Sequence, residues 1–297
     1  MDIHRKSLIE IHVAVLLFGL TGLFGKFLSI PPQHIVLGRV FFASLSIGCF
    51  FVIKRQNIRL NSVQDYVVVS ALGALLAFHW TAFFTSVQVS TVAIALLTFS
   101  AYPIFVTFFE PIMFHEKLKI IDVAFALIMF VGVILIVPEF NLANNLTIGT
   151  IWGMSASVTF AIMSLINRKL ASSYEGSVIT FYEQGVASIV LLPILIFNRP
   201  EMRLLDWGLI ALLGVVFTGL AHSLFIGGMK TVRAQTAGII ASMETVYGIA
   251  SAAVILGEIP SGREILGGCI ILGAAFCSTM LSSKEKKLVQ PEQSGIS

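Results

Sequence analysis

Apolar runs of about twenty residues recur along the chain, each closed by a short polar or Gly/Pro-bearing break. They fall at 8–29, 34–53, 65–87, 91–113, 119–137, 147–167, 177–197, 206–228, 235–257 and 263–281. A bilayer core about 30 Å thick takes roughly 20 helical residues to cross. The runs are too long for barrel strands and lack a period of two. The pattern predicts an all-α polytopic membrane protein of ten transmembrane helices. The weakest break is SVQVST, between the third and fourth runs. PPQH (31–34) and the stretch 257–262 leave room only for tight turns, so no soluble domain is expected. The polar, basic stretch 284–297 reads as a disordered cytoplasmic tail.

Composition agrees. Hydrophobic residues make up 57% of the 297 and charged residues 12%, against about 45–50% and about 25% in a soluble domain. That excludes an ordinary soluble enzyme, a disordered chain and a nucleic-acid binder. The net charge of +3 is small, and its placement says more than its sum. With the N-terminus inside, fourteen Lys and Arg fall in cytoplasmic segments. Only Arg199, Arg203 and Arg263 lie outside, and Lys26 and Arg39 lie within spans. The positive-inside rule then puts both termini in the cytoplasm of a cell with this protein in its (inner) membrane. The basic N-terminus before an apolar run has the look of a signal peptide, but the run is long and similar ones follow, so it reads as a retained first helix. Cys49, Cys269 and Cys277 sit in apolar stretches without CxxC spacing, and read as free thiols, not as a disulfide or zinc site.

The two halves match each other. Phe18 and Lys26 pair with Phe160 and Arg168, Asp65-Tyr66 with Asp206-Trp207, Gly73 with Gly214, and Glu116 with Glu258. VSTVAIALLTFSAYPIFVTFFEPIMFHEKL parallels VRAQTAGIIASMETVYGIASAAVILGEIPS. Five spans per half is odd, so the second repeat (143–283) would enter the membrane inverted relative to the first (1–142). That is the layout of secondary transporters, with a substrate site near the midplane.

On these residues the chain resembles the drug/metabolite transporter superfamily, and within it the ten-helix EamA-type transporters. The likeness is carried by Lys26, Arg39 in GRVFFASL, Ala95 through Pro103, Glu116 in HEKL, Glu244 in METV and the LGE at 256–258. It departs in HEKL, where LGE is usual, and in Thr245, where Pro is frequent. The resemblance implies two inverted five-helix repeats around a cavity lined mostly by helices 1, 3, 4, 6, 8 and 9. It also implies export or exchange of amino acids, nucleotides, other metabolites or drugs.

Ionisable groups within spans are functional candidates by default. Glu244, central in the ninth run, suits a cationic or amino group, or a coupling proton. Tyr182 and Glu183 lie toward the cytoplasmic side of the seventh run, at an inner cavity mouth or at the water interface. Arg39 suits a carboxylate or phosphate. Lys26 would join it or snorkel to the outer interface. His79 and His222 are near-equivalents across the repeat and candidate proton carriers, and Trp80 can stack on a cationic or aromatic ligand. Tyr102 and Pro103, beside Thr98 and Ser100, are the repeat counterparts of Glu244 and Thr245. For each the plain alternative is packing or a bond to a neighbouring helix. Gly19, Gly22 and Gly25 recur on one helix face as a close-packing surface.

No Walker loop, HExxH, GxSxG or TVGYG filter occurs. No enzyme activity, cofactor or metal is expected. The expectation is a secondary active transporter that moves a small polar metabolite, an amino acid or related zwitterion, out of the cytoplasm by alternating access. The alternatives are import or exchange of a nucleotide-like solute, and export of a cationic drug. Its partners are a small-molecule substrate and the lipid bilayer, with protons as the candidate coupling ion and no nucleic acid. The oligomeric state is left open.

Overall fold

The computed structural model describes residues 3–115, 117–137, 141–170, 173–229, 240–241 and 243–289. Among the described residues the fold is helical with no strand. The helices are α1 (Ile3–Phe27), α2 (Pro32–Lys54), α3 (Val63–Val89), α4 (Val92–Phe99), α5 (Tyr102–Phe114), α6 (Ile120–Ile136), α7 (Asn145–Leu170), α8 (Gly176–Leu191) and α9 (Ile194–Phe197). They continue as α10 (Leu204–Gly214), a π-helical turn (Val215–Leu220), α11 (Ala221–Met229), α12 (Met243–Leu256) and α13 (Gly262–Val289). Among the described residues seven helical stretches are long and apolar enough to cross a membrane, and two shorter apolar helices accompany them. Large apolar side chains such as Val52, Ile120, Phe197 and Val254 stand exposed on the outside of the bundle, as a lipid-facing surface requires.

Three runs that read as continuous are interrupted. The fourth breaks between α4 and α5, where Pro103 has no N–H to give the carbonyl of Phe99 four residues back. Ser157 of α7 fills the gap, its hydroxyl donating to the carbonyls of Thr98 (2.6 Å) and Phe99 (2.8 Å). The seventh run breaks ahead of Pro193, and the eighth passes through the π turn. The expected disordered tail is corrected in part. α13 runs to Val289, because Lys, Glu and Leu in SSKEKKL are good helix formers on an existing helix; residues 290–297 lie outside the described residues. So does Glu116, the repeat counterpart of Glu258.

Several helix starts follow from local chemistry. Ser62 caps α3, accepting from the Asp65 N–H (3.2 Å) while donating to the Asp65 carboxylate (2.7 Å). At the matching place in the second half, Asp206 accepts from the Arg203 N–H (2.8 Å) and guanidinium (3.0 Å) at the start of α10. Thr91 caps α4 through the Ile94 N–H (3.1 Å).

Packing runs across the halves. α1 lies on α11 and α12, while α7 lies on α3, α4 and α5; α3 packs on α8 and α2 on α10. α2 meets α8, and α6 meets α13. Glycines make the closest approaches possible. A side chain on Gly248 of α12 would collide with Leu96, and its Cβ would stand 2.8 Å from the Gly19 carbonyl of α1. A Cβ on Gly19 would stand 2.7 Å from the Glu244 carbonyl. The Gly19 face therefore seats α12 at the level of Glu244. Gly267 of α13 is buried the same way on Gly132 of α6. The three cysteines are free and exposed on the bundle surface.

Gly248→Ala should cost about 1–3 kcal/mol, the usual penalty for overpacking. Gly185, with open space around it, should accept Ala without loss. Thermal unfolding of the two purified variants in detergent checks the contrast; equal melting temperatures would refute the close α1–α12 seat.

Candidate substrate-binding site

Arg39, on α2, is 1% exposed. Its Nε (3.1 Å) and Nη2 (2.9 Å) both donate to the hydroxyl of Thr218. The guanidinium carbon lies 3.6 Å from the centroid of the Trp80 ring, with Phe84 further off at 5.7 Å. The cation that Trp80 stacks on is thus the protein's own. Thr218 sits in the π turn, and its hydroxyl in turn donates to the Leu213 carbonyl (2.9 Å). Two donors remain without partners among the described residues: Arg39 Nη1 and Trp80 Nε1, both buried.

The other polar candidates gather around this pair. Glu244 is close enough to act electrostatically on Arg39 and on Tyr102. It forms no ion pair with Arg39 within 4.0 Å. Arg39 likewise acts on His79 and His222. His79 is held by α7, its Nδ1 meeting the Ala156 carbonyl (2.9 Å) and the Thr159 hydroxyl (3.2 Å). His222 Nδ1 meets the Thr218 carbonyl (2.9 Å), and its ring packs edge-on to Phe18 at 4.9 Å. A carbonyl only accepts, so each Nδ1 carries the hydrogen, leaving Nε2 as the free ring nitrogen. Tyr102 packs edge-on to Phe160 (4.9 Å), and Ser100 and Thr245 share a hydroxyl–hydroxyl bond that ties the α4–α5 break to α12.

Arg39, His79, Trp80, Tyr102, His222 and Glu244 therefore belong to one neighbourhood. Tyr182 does not. Its hydroxyl donates to the Ile58 carbonyl (3.1 Å) and its ring meets Tyr66 at 5.6 Å, at the α2–α3 loop, because the side chain points along α8 toward its start. Glu183 also stands apart: its backbone packs on Gly73, six residues and about 9 Å along α3 from His79, and its side chain bonds Asn167.

Lys26 neither joins Arg39 nor snorkels. Its ammonium donates to the Ser90 carbonyl (2.6 Å) and pairs with Glu258 at 3.1 Å. The second oxygen of Glu258 accepts from the Val92 N–H (2.9 Å) at the start of α4, where a negative charge also suits the helix dipole. Nearby, Thr91 bonds Glu264 (3.3 Å). These contacts form a clasp that ties α1, the α3–α4 turn and the α12–α13 loop together at one end of the bundle.

Comparison with known proteins places this architecture. The EamA-like transporter family matches residues 6–137 and again 147–280. The chain belongs to the EamA-like transporter family. Its members are multi-pass membrane transporters of the drug/metabolite type. The chain is 24% identical over 296 residues to the uncharacterized transporter YxxF of Bacillus subtilis, covering 98% of this chain and 94% of that one. It is 24% identical over 253 residues to the pseudopaline exporter CntI of Pseudomonas aeruginosa, with 84% and 86% covered. To the threonine/homoserine exporter RhtA of Salmonella typhimurium it is 23% identical over 212 residues, with 70% and 69% covered. A solved crystal structure superposes with a TM-score of 0.67 at 18% identity, over 95% of this chain and 99% of that chain, and shares the fold. In this EamA protein the Arg39 neighbourhood draws on both matched segments, since α2, α3 and α5 come from the first and the π turn, α11 and α12 from the second.

Two participants were not visible in the sequence. Thr218 carries no charge and lies in an unremarked FTGLAHS stretch; its one signal is a hydroxyl between Gly214 and Gly219. Ser157 reads as a small packing residue. Opening the clasp tests its role. Glu258→Gln should speed labelling of a cysteine placed at Ser100 by a hydrophilic maleimide, in a background without native cysteines. The expected gain is about fivefold, matching ~1 kcal/mol of ion pairing. Unchanged labelling would mean that the clasp does not guard the interior.

Proposed function

We propose that this EamA protein is a secondary transporter that exports a small zwitterionic metabolite, such as an amino acid, by alternating access between two inverted five-helix repeats. One observation carries the substrate class. Two buried donors without partners, Arg39 Nη1 and Trp80 Nε1, stand together by stacking, and Glu244 lies within electrostatic range but unpaired with Arg39. A carboxylate would satisfy the donors, and an ammonium group would satisfy Glu244. A solute with one charge would leave the opposite buried charge uncompensated, which is costly. Tyr102, His79 and His222 complete the wall around it.

The inverted repeat is supported by the doubled family match, by the matching starts of α3 and α10, and by the pairwise packing of α1 on α12 against α7 on α4 and α5. The distribution of Lys and Arg supports cytoplasmic termini, which puts the Lys26–Glu258 clasp on the outer side. The interior is then closed toward the outside in this state. Export is favoured by two relatives, the pseudopaline exporter and the threonine/homoserine exporter.

Thermal stabilisation of the purified protein by a panel of amino acids, nucleotides and lipophilic cations tests the reading. Amino acids should raise the melting temperature. Arg39→Ala and Glu244→Gln should each weaken binding at least about a hundredfold, since each strands a buried charge worth ~3 kcal/mol. A response to lipophilic cations alone, lost in Glu244→Gln but kept in Arg39→Ala, would replace the zwitterion with a cationic drug.

A further inference from the structure

The unpartnered buried polar atoms among the described residues sort by chemistry. Arg39 Nη1 and Trp80 Nε1 are donors, and they mark the substrate neighbourhood. Glu183 Oε1, Asn167 Oδ1 and Gln184 Oε1 are acceptors between the end of α7 and the middle of α8; the remaining acceptor, His34 Nδ1, stands apart at the start of α2, its ring held through Nε2 by the Asn198 carbonyl (2.9 Å). Glu183 is 6% exposed and Gln184 1%, both on the face of α8 that packs into the bundle. The Asn167 amide donates to the Glu183 carboxylate, which leaves one oxygen of each side chain with no donor. Acceptors without donors, as on Glu183 and Asn167, call for a positive ligand, and donors without acceptors call for a negative one.

From this geometry we infer that Glu183 and Asn167, with Gln184 beside them, form a seat for a monovalent cation, H⁺ or Na⁺, separate from the substrate site. Hard cations take carboxylate and amide oxygens, and transporters hold coupling ions on such groups between helices. An ionised carboxylate this deep, with one amide as its only donor among the described residues, is unfavourable until a cation arrives.

The charged and titratable groups on the surrounding helices are occupied elsewhere. On α3, Asp65 takes Ser62 and Tyr174, Tyr66 takes the Leu60 N–H, and His79 takes Ala156. On α2, Arg39 faces Thr218 and Trp80, His34 meets the Asn198 carbonyl, Cys49 is exposed, and Lys54 is exposed at the helix end. On α7, Lys169 is exposed, and the Arg168 side chain lies outside the described residues. On α8 itself Tyr182 turns to Ile58, and just ahead of it Glu175 takes Gln56; on α11, His222 turns to Thr218. Arg39 acts electrostatically on Glu244 and on both histidines but not on Glu183. The seat thus lies toward the α2–α3 and α7–α8 loops, clear of the substrate charges. It moves the coupling ion from Glu244, where the sequence alone suggested it, to Glu183. That coupling role rests on the transport reading above; the binding does not.

The experiment needs no substrate. The full-length protein is unfolded thermally in detergent, with choline replacing Na⁺ at constant ionic strength. At mildly alkaline pH, Na⁺ should raise the melting temperature saturably, and acidification should remove that response as H⁺ takes the seat. If the seat takes H⁺ only, Na⁺ has no effect, and infrared spectra show a protonated-carboxyl band that titrates in the wild type and vanishes in Glu183→Gln. Either result supports the seat. Glu244→Gln should keep the response, and Asn167→Ala should raise the half-saturating Na⁺ or shift the band's titration midpoint in concentration by about tenfold. Asn167→Ala also serves where Glu183→Gln does not fold. The inference is overturned if the wild type shows no Na⁺ response and no titrating band that either variant removes or shifts.

Discussion

A guanidinium sealed in an apolar helical bundle must be held on every side, and much of the central architecture answers to Arg39. Its face is covered by an indole and two of its nitrogens go to one hydroxyl. That hydroxyl is presented by a π turn, and one inserted residue rotates all that follows by about 100°. His222, four residues on from Thr218, lies on the same face and meets its carbonyl. Gly214 precedes the turn and Gly219 lies within it, and a Cβ on Gly214 would stand 2.7 Å from the Arg39 carbonyl. The bare backbone lets α2 come near enough for the bond.

The same rule governs the helix breaks. In hydrocarbon no water replaces a lost backbone bond, so an interruption persists only where a neighbour supplies the missing group. At Pro103 the neighbour is Ser157, from the other matched segment of the chain. At the turn before α4 it is Glu258, which meets a backbone N–H and a lysine at once. Irregular backbone and cross-segment contact coincide because each makes the other tolerable. The exceptions to this rule are the donors of Arg39 and Trp80 and the acceptors of Glu183 and Asn167, which have no partner among the described residues.

Much of the fold was legible because its signals are local or periodic. The apolar runs need only length and spacing to announce helices that cross a membrane. Most members of the Arg39 neighbourhood were legible as candidates too, since Arg39, His79, Glu244 and His222 are expensive inside a membrane and announce themselves. What the sequence hid was geometry. LGVVFTGLAHS has no Pro and no charge to betray a π turn, so Thr218 passed unnoticed. Lys26 showed its cost but not its partner, which lies in the last loop of the described chain. Tyr182 shares its run with Glu183 yet points along the helix to Ile58, a direction set by its rotamer. The tail misled because its charge outweighed the helix propensity of SSKEKKL.

The indole stacked on Arg39 has an optical consequence. The chain has three tryptophans, Trp80, Trp152 and Trp207. Trp152 packs near Phe78 and Trp207 is half exposed on α10, so neither touches the guanidinium. Trp80 alone has a cation against its π face and an unbonded N–H. Its emission depends on where that charge sits and on whether the N–H finds an acceptor. Any change in the Arg39 stack is therefore written into the intrinsic fluorescence of one residue, readable without a label in a lipid bilayer.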